Sequence, residues 1–226
     1  MNPLHDPAQV TAFLTFAAVA AGTPGPGNTL LTAVGARTGI RGGLMSLLGQ
    51  VTGMGALLFA VTLGLGRPLL AHPLALQILK WGGVAVLCWM AWRIAAGPAR
   101  VAGHASAGGH ASVGGSADDA QAAGETARAP AGFFGMAAFQ WINPKGWLVG
   151  VSAVAAFLDH RAGNALSQAV LFAVLFVLAA IPVCFPWLAF GAALQRFLRT
   201  SRAARVLNIV MGALLAASTV PLVLFA

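Results

Sequence analysis

Six apolar runs, each long enough to cross a lipid bilayer, leave this 226-residue chain almost nothing with which to build a water-facing surface. They fall at 10–36, 44–65, 74–96, 132–158, 165–193 and 206–225, and a helical crossing needs about 20 residues. Inside hydrocarbon every backbone N–H and C=O must find its partner within the protein, which selects helices over open strands. Only 8% of residues are charged, against about a quarter in soluble domains. The expected fold is therefore an all-α integral membrane protein with six transmembrane helices.

The stretch before the first run, 1–9, holds no Lys or Arg. A secretory signal peptide carries a basic segment there, so the first run reads as a retained helix. Between the third and fourth runs, 97–131 is rich in Ala, Gly, Ser and His and has no apolar periodicity. It reads as a flexible linker between two three-helix repeats, 1–96 and 132–226. The net charge of +8 would suggest nucleic acid in a soluble protein, but in a membrane protein it reports orientation, and no nucleic-acid partner is expected. Nine arginines (37, 41, 93, 100, 128, 196, 199, 202 and 205) fall on the linker's side, and two, Arg67 and Arg161, on the other. That bias places the linker in the cytoplasm and both termini outside.

Each repeat opens with a run interrupted by proline. The first reads Thr23-Pro24-Gly25-Pro26-Gly27-Asn28 and the second Asn143-Pro144-Lys145-Gly146. Proline supplies no N–H and collides with the carbonyl four residues back, which loosens the carbonyls of Ala20, Gly22 and Gln140. Because each repeat has three crossings, the second enters from the opposite face, making the pair an inverted repeat with broken first helices. Paired interruptions of this kind at membrane depth point to a transport site.

The second break has chemistry that can be spelled out. Asn143 suits an N-cap, Pro144 the first helical position, and Lys145 follows in the first turn. A half-helix starting inside the membrane would offer free N–H groups and a positive dipole end, with the Lys145 ammonium beside them, and its natural guest is a carboxylate. In the first break either Thr23 caps a half-helix beginning at Pro24, or Asn28 caps one beginning at Thr29. No Asp or Glu lies within any run. The ammonium of a neutral or zwitterionic cargo would then meet loosened carbonyls or the amide oxygens of Gln50, Gln140 or Asn208. The candidate substrate residues are Thr23, Pro24, Gly25, Pro26, Asn28, Gln50, Gln140, Asn143, Pro144, Lys145 and Asn208. Proton coupling would fall to Lys145 or Asp159. Gly49 and Gly53 allow close helix approach, Pro182 and Pro186 predict a bend in the fifth run, and Trp141 and Trp147 fill space around the second break. Cys88 and Cys184 form no Cys-x-x-Cys pair and read as buried spectators. No metal site or cofactor is indicated.

The first break, the Leu79-Lys80-Trp81-Gly82-Gly83 opening of the third run and Asn143-Pro144-Lys145 together resemble the lysine-exporter (LysE/RhtB) family of amino-acid efflux proteins. Ala91-Trp92-Arg93-Ile94-Ala95, Leu194-Gln195-Arg196-Phe197-Leu198 and Leu207-Asn208 look most like its cysteine and O-acetylserine branch. The resemblance implies six helices, export of amino acids from the cytoplasm and drive by the proton gradient. Many relatives carry an acidic residue in the fifth helix; Ile181-Pro182-Val183-Cys184 stands here instead, which argues against a basic cargo. The expected partners are a small amino acid, the bilayer and, as a possibility, further copies of the chain. The weighed alternatives are a metal or inorganic-ion exporter, which would need clustered intramembrane His, Asp or Cys, and a thiol oxidoreductase, which would need Cys88 and Cys184 to meet.

Overall fold

The computed structural model describes residues 7–66, 71–97, 132–159, 164–195 and 200–220. All of the expected linker except Gly97 lies outside them, as do Arg67, Arg161 and several of the arginines on its side. The described residues form helices and no strands: α1 (Pro7–Gly22), α2 (Pro26–Ala60), a π-helical turn (Val61–Leu65), α3 (Pro73–Ala96), α4 (Phe133–Ile142), α5 (Pro144–Phe157), α6 (Ala165–Gln195) and α7 (Ser201–Ala217). Among the described residues three helices are long and apolar enough to cross a membrane, Pro26–Leu65, Leu76–Ala96 and Ala165–Leu194, and Pro7–Gly22 and Phe133–Ile142 are shorter apolar helices.

Hydrophobic side chains point outward in stripes. Ile78 on α3 is 73% exposed, and it continues a row from Leu74 to Trp81. Val170, Val174 and Leu178 form such a row on α6, and Val206, Val210 and Leu214 on α7. Spacings of three and four residues put each row on one helix face. A soluble protein would present polar residues on those faces; these suit lipid.

α2 differs from the expected helix, loop and second helix at 10–36 and 44–65. Helical backbone runs into the expected loop from both sides and is interrupted at Gly39, with φ 70° and ψ −175°. A positive φ costs glycine nothing, and here it turns the helix back on itself. The reversal is proved by Gln50 Nε2, which donates to Asn28 Oδ1 at 2.9 Å although the two residues are 22 apart. In a straight helix they would lie roughly 33 Å from each other. The arms are 26–38 and 40–60.

Small residues set the helix spacing. A side chain at Gly49 or Gly53 would collide with the α4 backbone at Phe133 and Ala137, so arm 40–60 and α4 lie backbone to backbone. Gly191 on α6 meets Thr32 and Ala36 in the same way, and Thr32 Oγ1 donates across to the Trp187 carbonyl at 3.1 Å. Two apolar cores flank arm 26–38. One joins α1, arm 40–60, α5 and α6 through Phe13, Leu57, Phe172 and Phe176; the other joins α3, α4 and α7 through Leu87, Phe139 and Leu215. α6 stays helical through Pro182 and Pro186. α7 begins at Ser201, earlier than the expected 206, because the Thr200 hydroxyl accepts from the Ala203 N–H at 3.1 Å and caps it.

Candidate functional site

At the second break α4 ends on Ile142 and α5 restarts at Pro144, with Asn143 between them in extended backbone. Asn143 Oδ1 accepts from the Lys145 N–H at 3.2 Å, and the Asn143 carbonyl accepts from the Gly146 N–H at 2.9 Å. The first-turn donors that the sequence leaves free are thus already bound. What α5 still offers an anion is its dipole and the Lys145 ammonium. The interrupted carbonyls are met locally: Gln140 accepts from the Asn143 N–H at 3.4 Å, and Trp141 from the Trp147 indole N–H at 2.8 Å. The Pro144 ring seats against Gly83 of α3, where a Cβ would lie 2.5 Å from its Cγ.

The first break is capped by neither Thr23 nor Asn28. Gly25 occupies the N-cap position without a side-chain bond, and Pro26 starts α2. The Thr23 hydroxyl turns back to the Val19 carbonyl at 2.6 Å. Asn28, buried inside the first turn, reaches backward: its Nδ2 donates to the carbonyls of Ala21 at 2.7 Å and Thr23 at 3.1 Å.

The two breaks meet. Lys145 Nζ donates to the Thr23 carbonyl at 2.8 Å, so the ammonium of one fracture rests on a backbone carbonyl of the other. Beside this contact lies a cavity of about 50 Å³, walled by Gly25, Asn28, Gln50, Gln140, Asn143 and Lys145 on its polar side and by Met54, Phe176 and Ala180 among apolar groups. Glycine makes the room. A Cβ on Gly25 would lie 3.0 Å from Lys145 Cδ and 3.1 Å from its Nζ, and one on Gly27 would lie 3.2 Å from Gln50 Oε1.

Six of the eleven sequence candidates therefore line one cavity. Thr23 contributes its carbonyl from just outside, Pro24 is exposed, and Pro26 and Pro144 are buried in the helix starts. Asn208 sits elsewhere: its Oδ1 accepts from Arg37 Nη2 at 3.4 Å and its Nδ2 donates to the Gly97 carbonyl at 3.2 Å, tying the ends of arm 26–38 and α3 to α7. Asp159 lies past the other end of α5, its peptide N–H and C=O both bonded to the Gln168 side chain. Cys184, read from the sequence as a spectator, is a wall residue whose thiol lies 3.6 Å from Gln50 Nε2 and 3.7 Å from the Ala21 carbonyl. Cys88 is exposed on α3, and both thiols are free.

A helical membrane protein whose broken helices meet at a small polar cavity belongs, as a class, with transporters. The LysE type translocator family model matches residues 18–224, and the chain belongs to that family; its members are transporters and not enzymes. Cysteine/O-acetylserine efflux proteins of Escherichia coli strain K12 and Shigella sonnei strain Ss046 are each 30% identical to it over 210 residues, covering 92% of this chain and 94% of theirs. No solved structure matches it significantly.

Proposed function

We propose that this protein exports small neutral amino acids or related metabolites, of the cysteine and O-acetylserine kind, from the cytoplasm through the cavity between its two breaks. The observation that carries the reading is the Lys145 ammonium held at 2.8 Å by the Thr23 carbonyl. A cargo carboxylate outcompetes a neutral carbonyl for an ammonium, because a charge-assisted bond is roughly twice as strong as a neutral one. The α5 dipole favours the same anion. Arrival of cargo thus exchanges one Lys145 partner for another and unties the two fractures. About 50 Å³ admits a few waters, so cargo entry also requires the walls to part.

The architecture is read as six crossings in two inverted repeats, 1–96 and 132–226, joined by a cytoplasmic linker at 97–131. Its support is an exchange of partners: α1 of the first repeat packs on α6 of the second, α4 of the second packs on arm 40–60 of the first, and the third helices α3 and α7 pack on each other. The Arg37–Asn208–Gly97 cluster gathers three arginine-rich ends on one side, as a common cytoplasmic face requires. Drive by the proton gradient is assigned to Lys145 rather than Asp159, because Lys145 alone of the two stands in the cavity wall.

Counterflow in proteoliposomes, with labelled neutral amino acids offered against internal unlabelled pools, tests the function. Accumulation of serine-sized zwitterions is expected. No movement of any of them, by protein shown to be folded, would end the exporter reading.

A further inference from the structure

Among the described residues one buried side-chain polar atom has no hydrogen-bond partner, Gln50 Oε1, and Gln50 is one of the residues that line the cavity. Gln50 is 7% exposed. An unmet buried acceptor is costly, so its persistence calls for an occupant that the protein alone does not supply.

The orientation of this amide follows from its neighbours. Asn28 lies between the carbonyls of Ala21 and Thr23, two acceptors that only an NH₂ group can serve. Its Oδ1 must therefore face Gln50, and Gln50 must answer with Nε2, at 2.9 Å. The second hydrogen of Nε2 is directed to the Cys184 sulfur at 3.6 Å. Both donors of Gln50 are committed, and its oxygen is left as a fixed acceptor. No amide flip relieves it, because a flip would set two oxygens, Oε1 and Asn28 Oδ1, against each other.

We infer that Gln50 Oε1 receives the α-ammonium of the cargo, with Asn28 acting as the positioning residue that holds it as an acceptor. The inference rests on the export reading above and adds to it the feature by which the site tells an amino acid from a plain carboxylic acid. Gly25 and Gly27, two residues apart in the first break, bring Lys145 and Gln50 against the same short segment of backbone. A carboxylate on Lys145 and an ammonium on Gln50 are then the two ends of one α-amino acid. Among the described residues the wall holds no carboxylate. An amide oxygen satisfies the α-ammonium without offering a second cationic side chain the full counter-charge it would need, which matches a neutral cargo.

The test compares L-cysteine with 3-mercaptopropanoate, which differs from it by the missing ammonium. Binding of each is measured under reducing conditions to the full-length purified protein and to Gln50→Leu and Gln50→Glu. The unsubstituted protein is expected to prefer cysteine about ten- to a hundred-fold, the range for a hydrogen bond to a charged group. Gln50→Leu abolishes the preference by weakening cysteine alone, and Gln50→Glu, whose protonated carboxyl donates to Asn28 Oδ1 in place of Nε2 and keeps its other oxygen as an acceptor, retains it to within a few-fold. Equal weakening of both probes in Gln50→Leu, or an undiminished preference, overturns the assignment while leaving the exporter reading standing. Failure of the unsubstituted protein to bind either probe overturns both.

Discussion

At Asn143 the chain restarts its helix with groups taken from its own next few residues, whereas at Gly25 it uses the nearby Asn28 together with Lys145 and Cys184 from far along the chain. The second break uses the Asn143 side chain, the Asn143 carbonyl and the Trp147 indole. The first has no side-chain cap, and its carbonyls at Ala21 and Thr23, rather than the expected Ala20 and Gly22, are met by Asn28, Cys184 and Lys145. One fracture is thereby self-contained and presents a cation; the other is open and presents acceptors. Two breaks of the same make would offer a zwitterion two like-signed ends. The asymmetry gives the cavity polarity, and under the proposed export it makes the first break the place where cargo and protein would compete for the same bonds.

Removing the cation should have the largest effect. Lys145→Met takes away a charged contact between the fractures and the cation with which a cargo carboxylate would pair, and losing one partner of a close charged pair costs about 2–5 kcal/mol. Transport in proteoliposomes should fall roughly thirty-fold or more, with insertion unchanged by protease mapping. Export at the ordinary rate would make the two breaks independent of each other. Next comes Asn28→Leu, which strips donors from Ala21 and Thr23 and releases Gln50. Unmet buried groups cost about 1–3 kcal/mol each, so both thermal stability in detergent and transport should drop, transport by about tenfold. A variant with a lowered melting point and normal transport would show that the relay only holds the fold. Smaller still is Gly25→Ala. Its methyl would press on the flexible end of Lys145, which yields by moving off the Thr23 carbonyl; transport should decline several-fold at nearly constant melting temperature.

Much of the second break was legible in advance because its chemistry is local. Asn-Pro-Lys specifies a cap, a first turn and a charge within three consecutive residues, and the structure holds them in those positions. The first break was legible as a fracture but not in its detail, since Asn28 and Gln50 are 22 residues apart and no periodicity says that a helix will fold back on Gly39. Residues 37–43 read as a loop on composition, yet one glycine with a positive φ makes the corner. Asn208 looked equivalent to Gln50 and Gln140, polar residues in apolar runs; only packing shows that it faces Arg37 and Gly97 instead. Cys184, Met54 and Phe176 carried no signal at all. In a membrane helix apolar side chains face lipid, neighbours and cavity alike, and the period of a helix does not distinguish the three.

The smallest effect expected is also the sharpest test of the contrast. Asn143 stands in the cavity wall, yet its oxygen is already committed to the Lys145 N–H. If the second break is self-contained, Asn143 acts by holding the start of α5 and does not touch cargo. Asn143→Ala should then cost about 0.5–2 kcal/mol, the worth of an N-cap, with transport reduced only a few-fold as Lys145 loses its rigid base. Asn143→Asp keeps an oxygen for the cap, and a negative charge at a helix N-terminus is favourable, so it should restore the melting temperature. It would also set a carboxylate near the Lys145 ammonium, in competition with cargo. The pair therefore separates stability from transport: Ala loses the first and largely keeps the second, Asp does the reverse. Should Ala abolish transport at unchanged stability, Asn143 would be a cargo contact, and both fractures would have to be regarded as open.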